Sequence, residues 1–326
     1  MAEITYLDAI RRALLEEMSR DPNVFVMGQD VAGFGGAFRA TRGLFERFGR
    51  LRVINTPLCE SGAVGAALGA ALAGKRPVVE MQFADFVSCA FNQIVNNVAK
   101  TYYRWEQPVP MVIRLPYGGG VGAGPFHSQC DEAWFTHVPG LAVVAPATAE
   151  DALGMLKAAI RDPNPVIFLE HRFLYRREKF TLDDDDTEHL TPLGKARVAR
   201  PGELITVLSY SVTLHEALAA AEEVAKEGIS VEVIDLRTLM PLDEETVFAS
   251  CRKTGKVLVV HEATETSGFG AELVARVADQ CFEHLDGPIR RVAYADRPAP
   301  YNKHLEAALL PERGAIVSAL RALARY

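Results

Sequence analysis

Glu60 is the carboxylate in this sequence that is best placed to do chemistry. It follows a turn set by Pro57 and opens a segment, residues 61–74, in which eleven of fourteen residues are Gly, Ala or Ser. Such a segment predicts a helix whose backbone can be approached closely, with a partly desolvated carboxylate at its start. One interpretation is that Glu60 is aimed at a cofactor ring. The alternative is that it only favours the positive end of the helix dipole, as acidic residues in a first turn commonly do.

A second candidate is His127, which follows a glycine-rich run. Five of the seven residues from 118 to 124 are glycine, a composition that suggests a phosphate cradle. However, Gly-Lys-Ser/Thr is absent, Pro125 interrupts any immediate helix, and the dinucleotide fingerprint lacks its helix and its acidic residue. We therefore expect a flexible, closely packed loop that delivers His127 into a site, because histidine exchanges protons near neutral pH. The alternative is a loop histidine bonded to solvent.

Two further patterns suggest possible sites. Glu80 or Asp85 could form a carboxylate pair with Glu60, which spacing alone leaves open. His261-Glu262 resembles the start of a zinc-protease motif, but Glu265 stands where the second histidine would have to be. The sequence therefore gives no support for a zinc site there.

The totals exclude several classes of protein. A net charge of −7 without a basic block argues against a nucleic-acid partner. Five widely spaced cysteines without Cys-x-x-Cys indicate reduced thiols in a cytosol-like compartment. No basic region followed by an apolar run is seen at the N-terminus, and the small-residue segment is shorter than the ~20 apolar residues of a membrane helix. We expect a soluble, cytoplasmic protein without a membrane partner.

The pattern along the chain predicts two α/β domains. At 326 residues the chain exceeds one comfortable core, and short apolar runs alternate with helical periodicity, which favours largely parallel sheets flanked by helices. Four consecutive aspartates at residues 183–186 indicate a solvated linker. The predicted domains are residues 1–180 and 195–326, joined by a linker over 181–194. Helices are expected over residues 5–19, capped by Thr5, and in one piece over residues 86–105.

Five strings carry a resemblance to a known family. They are Gly28-Gln-Asp-Val-Ala, Thr56-Pro-Leu-Cys-Glu60, Gln82-Phe-Ala-Asp-Phe86, Phe126-His-Ser-Gln129 and Asp235-Leu-Arg-Thr-Leu-Met-Pro241. Together they closely resemble the beta subunit of the decarboxylating component of 2-oxo acid dehydrogenase complexes, over essentially the whole chain. The resemblance implies a pyrimidine-binding domain of a thiamine-diphosphate enzyme, followed by a transketolase-type C-terminal domain.

The resemblance also implies that this chain is half of an active site. In that family an alpha subunit carries the Gly-Asp-Gly motif that anchors magnesium and the diphosphate, and the sites form between subunits of an α2β2 tetramer. Gly-Asp-Gly occurs nowhere in this sequence, which fits that division of labour.

Roles for individual residues follow from the resemblance. Glu60 hydrogen-bonds the pyrimidine ring nitrogen of thiamine diphosphate, which favours the tautomer whose exocyclic amine can act as a base. Gln82 and Phe86 line the pyrimidine side of the site. Some relatives have Tyr in place of Phe86, so a hydroxyl contact is missing here; the alternative for both residues is ordinary packing. His127 matches the histidine thought to donate a proton when the lipoyl group of the acyltransferase component is acylated.

The resemblance further implies a structural potassium ion and a docking surface. Potassium would be held largely by backbone carbonyls at Met111, Ala159, Ile160, Asp162 and Asn164; the alternative is a plain helix end with an Asp-Pro-Asn turn. Asp296 and the terminal carboxylate of Tyr326 are candidate contacts with the lipoyl acyltransferase.

The sequence favours a branched-chain 2-oxo acid of the 2-oxoisovalerate type as substrate. Thr56-Pro-Leu-Cys-Glu and Phe83-Ala-Asp-Phe are closer to branched-chain members, whereas Glu132-Ala-Trp-Phe and Leu169-Glu-His are also similar to acetoin and pyruvate relatives. A split transketolase or deoxyxylulose-phosphate synthase half and a non-catalytic assembly subunit are the remaining alternatives. Intact Glu60 and His127 argue against the last.

Overall fold

The computed structural model of the chain describes residues 2–182 and 188–326. These residues form two compact units. The first unit comprises Met1–Tyr117 and Trp134–Leu193, and the second comprises Gly118–Ala133 and Gly194–Tyr326. The loop that carries His127 therefore belongs to the second unit. The acidic run at residues 183–186, on which the predicted linker rests, lies outside the described residues.

The first unit is built on a parallel sheet. Its strands are β1 (Ala2–Thr5), β2 (Val24–Gly28), β3 (Val53–Asn55), β4 (Arg76–Glu80), β5 (Val112–Tyr117), β6 (Ala142–Val144), β7 (Val166–His171) and β8 (Lys179–Leu182). Six of them lie in the order β6-β7-β5-β4-β2-β3, and every pairing among them is parallel. Every residue of β5 and β7 is buried, as expected for parallel strands with helices on both faces. β1 pairs antiparallel with β8.

The helices of the first unit differ in how they begin, and Thr5 and Thr148 provide side-chain caps for two of them. They are α1 (Tyr6–Arg20), α2 (Leu44–Phe48), α3 (Glu60–Leu72), α4 (Thr101–Trp105) and α6 (Ala149–Arg161), with α5 (Glu132–Thr136) beginning in the second unit. Thr5 caps α1 as predicted, and Asp8 completes a capping box with it.

The single helix predicted over residues 86–105 is wrong. The chain instead forms a 3-10 helix (Ala84–Ala90), a π-helix (Gln93–Val98) and then α4. Side chains bond backbone carbonyls here: Thr101 Oγ1 donates to the carbonyl of Asn97 at 2.7 Å, and Asn97 Nδ2 donates to that of Asn92 at 3.5 Å. Asparagine and the β-branched residues among them have low intrinsic preference for an α-helix, which accounts for the break.

The second unit contains a five-stranded sheet flanked by helices. The strands of this unit are β9 (Arg197–Arg200), β10 (Ile205–Ser209), β11 (Val231–Asp235), β12 (Thr238–Met240), β13 (Val257–Thr264) and β14 (Arg290–Tyr294), and all of them except β12 belong to this sheet. The sheet order is β14-β13-β10-β11-β9, parallel except for the antiparallel edge strand β9. The helices are α7 (Val212–Ala225), α8 (Glu244–Thr254), α9 (Phe269–Cys281), α10 (Lys303–Ala307) and α11 (Arg313–Leu323), with a 3-10 turn at Phe282–His284.

The predicted fold class is confirmed: both units are α/β with mostly parallel sheets. The elements that the sequence did not predict are short, namely β1, β8, β9, β12, α2, α5 and α10. Each has three to five residues, which is too few to show a period. In the part of the chain that the structure describes, no helix is both long and apolar enough to span a membrane.

Candidate active site

Three neighbouring strands of the first unit end together at one edge of the sheet. Gly28, the last residue of β2, stands level with Asn55 of β3 and with Glu80 of β4. The residues that follow these ends include Gln29, Glu60 and Gln82. The carboxyl edge of a parallel sheet is where α/β proteins bind ligands.

Glu60 is the first residue of α3. Its N-cap, Cys59, offers no side-chain hydrogen bond, so a negative charge in the first turn is favoured by the unsatisfied N–H groups. The Glu60 side chain is half-buried, and its Oε1 accepts a hydrogen bond of 3.0 Å from Nε2 of Gln29. Gln29 therefore fixes one carboxylate oxygen.

Gln82 contacts Asp30, the neighbour in sequence of the residue that contacts Glu60. Its Nε2 donates to Oδ2 of Asp30 at 3.3 Å, and Asp30 follows Gln29 directly. Asp30 has a positive φ of 58°, a conformation that aspartate tolerates better than most residues. The structure thus connects Glu60 and Gln82 through the dipeptide Gln29-Asp30.

Phe86 belongs to an aromatic cluster in the first unit. Its ring meets that of Phe83 edge-on at 5.7 Å, and Phe83 meets Phe38 in the same way at 5.3 Å. The guanidinium of Arg172 lies 5.1 Å from the centre of the Phe83 ring, within range of a cation–π interaction. Phe86 is half-buried, so its ring remains partly accessible.

A buried ionic network connects β4, β5 and β7. Arg114 donates to Glu80 at 2.6 Å and bonds both oxygens of Glu170 at 2.6 and 2.8 Å, while Tyr175 donates to Glu170 at 2.7 Å. Burial opposes the charge on Arg114, but Glu170 and Glu80 outweigh it and raise the Arg114 pKa. Burial raises the pKa of Glu80 despite Arg114.

For Glu80, the network gives a partner other than Glu60, because Glu80 is bonded to Arg114. Sequence reasoning missed this network. The available signal was a charged residue in each of three apolar strands: Glu80 in Arg76–Glu80, Arg114 in Val112–Tyr117 and Glu170 in Val166–His171.

His127 lies in the second unit, in the glycine-rich loop. Its N–H donates to the carbonyl of Gly124 at 3.3 Å, and Gly118 N–H closes the loop on the carbonyl of Gln129 at 3.1 Å. The side chain of His127 is half-buried. The loop is therefore a closed turn of chain with the histidine near one end.

The groups predicted to hold potassium lie in the first unit, and several already accept hydrogen bonds. Arg76 Nη1 donates to the carbonyls of Ile160 and Asp162 at 2.9 and 3.2 Å. The Met111 carbonyl accepts from Val166 N–H at 3.0 Å. Each carbonyl has a second lone pair that could bind a cation. A cation at this place would share the carbonyls of Ile160 and Asp162 with the guanidinium of Arg76. The set is completed by Ala159 and Asn164.

The two residues expected at the acyltransferase contact lie in the second unit. Asp296 is exposed and accepts hydrogen bonds from Thr266 N–H at 2.9 Å and from its hydroxyl at 2.5 Å. These bonds lower the Asp296 pKa. Tyr326 is 60% exposed. The Asp296 carboxylate therefore has an intramolecular role in holding the loop at Thr266.

Two family models match the chain and together span most of it. Residues 2–178 match the transketolase pyrimidine-binding domain, and residues 194–316 match the transketolase C-terminal domain. A solved structure described as a split-gene transketolase, an inactive beta4 tetramer, is similar with a TM-score of 0.79. It covers 99% of this chain and 98% of its own at 22% identity, so this likeness concerns the fold alone.

Curated relatives are similar over the full length. The 2-oxoisovalerate dehydrogenase subunit beta of Bacillus subtilis (strain 168) is 47% identical, with 100% of both chains covered. The mitochondrial pyruvate dehydrogenase E1 component subunit beta of Dictyostelium discoideum is 46% identical over 98% of this chain and 90% of that protein. The mitochondrial 2-oxoisovalerate dehydrogenase subunit beta 2 of Arabidopsis thaliana is 45% identical over 98% and 88%.

Proposed function

Because the chain belongs to the E1 beta subunits of the thiamine-dependent 2-oxo acid dehydrogenases, we propose that it serves the oxidative decarboxylation of a branched-chain 2-oxo acid of the 2-oxoisovalerate type. The acyl group is then transferred to a lipoyllysine of an acyltransferase component. The observation that carries the proposal is Glu60, which stands at the carboxyl edge of the parallel sheet with one oxygen fixed by Gln29.

The side chains proposed for this site fit an aminopyrimidine by their chemistry. A glutamate carboxyl group can share its proton with a ring nitrogen, Phe86 offers an aromatic face, and Gln82 offers both an amide donor and an acceptor. We propose that these three residues hold the pyrimidine of thiamine diphosphate. A magnesium ion and the diphosphate belong to the alpha subunit in this proposal, since this chain has no Gly-Asp-Gly.

Thiamine diphosphate, when bound, supplies the electron sink that decarboxylation needs. The contribution of Glu60 is to hold a proton at the ring nitrogen, so that the neighbouring amino group can act as a base. Half-burial strengthens that hydrogen bond, because water competes less for the carboxylate. Gln29 restricts the rotation of the carboxylate by holding one of its oxygens.

His127 is proposed to donate a proton during acyl transfer to the lipoyl group. Histidine is suited to this step because its neutral and protonated forms are both populated near pH 7. The closed glycine loop gives its backbone a defined place. Glu60 and His127 thus serve two successive steps of one reaction.

The proposal requires partners. We propose that the chain assembles with an alpha subunit as an α2β2 heterotetramer and that Asp296 and Tyr326 contact the acyltransferase. Potassium bound near Met111 and Ile160 also stays a proposal. A cytoplasmic location is proposed as well, supported by five cysteines that are all free.

Pyruvate is the second candidate substrate. Relatives described as pyruvate dehydrogenase and as 2-oxoisovalerate dehydrogenase subunits are 46% and 47% identical to this chain, so overall identity does not separate them. The branched-chain proposal rests on the strings at residues 56–60 and 83–86. Acetoin remains the third candidate.

The test is co-expression with an alpha subunit that carries Gly-Asp-Gly and assay with 2-oxoisovalerate, pyruvate and acetoin, using an artificial electron acceptor. We expect turnover to be fastest with 2-oxoisovalerate. Glu60→Gln should preserve the fold and lose most turnover, while Glu312→Gln, at an exposed position, should not. Near-wild-type decarboxylation by Glu60→Gln would contradict the assignment. An inactive but intact wild-type assembly would favour the alternative of a non-catalytic assembly subunit. Ketol transfer between sugar phosphates would favour the alternative of a split transketolase.

A further inference from the structure

The glycine-rich loop of the second unit is held at three places by two buried carboxylates. Glu262, on β13, accepts a hydrogen bond of 2.6 Å from Gly119 N–H and one of 3.5 Å from the Cys130 thiol. Glu306, on α10, accepts a hydrogen bond of 2.7 Å from Gly122 N–H. The first carboxylate therefore ties both ends of the loop, and the second ties its middle.

Both carboxylates are removed from water: Glu262 is 8% exposed and Glu306 is 1% exposed. A buried carboxylate is tolerated only when it is hydrogen-bonded, and hydrogen bonds from N–H groups to a charged oxygen are stronger than those between neutral groups. Burial, and then the charge of Glu262, raises the pKa of Cys130. The thiol therefore stays protonated and can donate a hydrogen bond. Gly119 and Gly122 N–H therefore supply hydrogen-bond partners to Glu262 and Glu306, while Oε1 of Glu306 has no hydrogen-bond partner among the described residues.

The loop needs its glycines because one short segment, residues 301–306, packs directly against it. A Cβ on Gly124, whose φ is +76°, would overlap the ring of Tyr301, and one on Gly122, at φ +70°, would lie 2.8 Å from Cγ of Lys303. A Cβ on Gly119 would lie 3.2 Å from the Oε1 of Glu306. Only glycine permits so close an approach at positive φ.

The segment that presses on the loop is itself well ordered. Asn302 caps α10, since its Oδ1 accepts from the N–H groups of His304 and Leu305 at 2.9 and 3.2 Å. Glu306 therefore lies on a short helix whose first turn is fixed, and it follows Tyr301 and Lys303 in the same segment. The loop and this segment form one packed body within the second unit.

We infer that Glu306 and Glu262 are positioning residues, which hold the loop in the one arrangement that presents His127 for acyl transfer. The inference rests on the proposed role of His127 and adds to it. Between the ties at Gly122 and Cys130 the chain spans His127, whose N–H returns to Gly124. Loss of either tie would leave that span free to adopt other conformations.

The test compares Glu306→Ala with Glu306→Gln in the enzyme assembled with its alpha subunit. The amide of Gln keeps an oxygen that accepts from Gly122 N–H, whereas Ala removes it. Three quantities are measured: hydrogen exchange of residues 118–130, acyl transfer to a lipoyl domain, and decarboxylation with an artificial electron acceptor. Glu312→Ala, at an exposed position of the same unit, is the matched control.

For Glu306→Ala we expect exchange in the loop to become about tenfold faster or more, because the loop then opens more often. Acyl transfer should fall by about tenfold or more, with decarboxylation within about threefold of wild type. Glu306→Gln should restore all three values, and the control should leave them unchanged. Glu262→Gln, which also keeps an acceptor, gives a second variant if Glu306→Ala fails to assemble: it should retain loop protection, whereas Glu262→Ala should lose it.

Two results would overturn the inference: unchanged loop exchange in Glu306→Ala, or an equal loss of both reactions. Failure of the proposed function gives a different result. If His127→Ala transfers acyl groups at the wild-type rate while Glu306→Ala still frees the loop, the tie is real and the role of His127 is wrong.

Discussion

Gln29 donates a hydrogen bond of 3.0 Å to Oε1 of Glu60, which joins the end of β2 to the first turn of α3. The next residue, Asp30, accepts from Gln82 beyond β4. Two residues of one tight connection therefore orient two side chains of the proposed pyrimidine site. The effect of these two hydrogen bonds is on geometry, since each bond restricts a side chain that would otherwise rotate in a half-open site.

Replacing Gln29 tests this relationship. Gln29→Ala frees the Glu60 carboxylate to rotate, and a hydrogen bond to a charged group contributes about 1.5–3 kcal/mol. We expect the decarboxylation rate of the assembled enzyme to fall about tenfold or more, and its unfolding midpoint to fall as well, with the fold retained at the assay temperature. Gln280→Ala, at an exposed glutamine of the second unit, is the control. A wild-type rate in Gln29→Ala would show that Glu60 needs no orientation by this amide.

His127→Ala separates the two proposed steps. General acid catalysis commonly contributes about a hundredfold or more, so we expect acyl transfer to a lipoyl domain to fall by that order. Decarboxylation followed with an artificial electron acceptor should change much less. His137→Ala, at an exposed histidine of the first unit, should affect neither assay. Equal losses in both assays would indicate that His127 has a structural role only.

Arg114 is expected to be essential for stability. Arg114→Met leaves Glu80 and Glu170 buried without their cation, and removal of one partner from a buried ion pair costs about 3–5 kcal/mol. Urea unfolding of the full chain should show that loss. Combining Arg114→Met with Glu80→Gln and Glu170→Gln should recover part of it, because no buried charge then lacks a partner. A single variant as stable as wild type would show that the network is dispensable.

The sequence predicted the start of α3 and the capped start of α1 because both signals are local. A run of small residues after Glu60 and a Thr-x-x-Asp capping box need only neighbouring residues. The same holds for most of the strands, whose apolar runs are continuous. The helix over residues 86–105 failed because apolar spacing alone does not distinguish an α-helix from the wider π turn.

The contacts that organise the site could not be predicted because they join distant parts of the chain. Arg114 meets Glu170 across 56 residues, and Glu306 meets Gly122 across 184. Such pairs depend on the order of strands in a sheet, which apolar spacing does not specify. The sequence therefore identified Glu60 and His127 as candidates but not Gln29 or Glu306, which orient what surrounds them.

His261 predicts how stability depends on pH. Its side chain is fully buried against Gly268 and Gly270, and burial, followed by the charge of Arg291, lowers its pKa to about 4. Above the ordinary pKa near 6.5 both folded and unfolded chains are neutral here. Between about pH 6.5 and 4 only the unfolded chain binds the proton, so stability falls by as much as about 3 kcal/mol.

The measurement is urea unfolding of the full chain at pH 7.5 and pH 5. His261→Gln removes this titration, so its loss of stability between the two values should be smaller than that of wild type, although packing changes lower its stability at both. The control is His284→Gln, at an exposed position, which should behave as wild type. Equal pH dependence in wild type and His261→Gln would contradict the prediction.

Arg76 determines how strongly the proposed potassium ion can bind. Its guanidinium donates to the carbonyls of Ile160 and Asp162, two of the groups assigned to the ion, and like charges disfavour each other at such distances. A bound ion stabilises the fold in proportion to the logarithm of its concentration above the dissociation constant. We therefore expect thermal unfolding of wild type to shift only slightly upwards when sodium is replaced by potassium at constant ionic strength.

Arg76→Gln removes the competing charge and keeps an amide that can donate to one of the carbonyls. The shift from sodium to potassium should then become larger, even though the variant is less stable in sodium than wild type. Lys75→Gln, at the exposed neighbouring position, should leave the wild-type shift unchanged. If neither wild type nor Arg76→Gln distinguishes the two cations, the carbonyls at Met111, Ile160 and Asp162 do not form a potassium site.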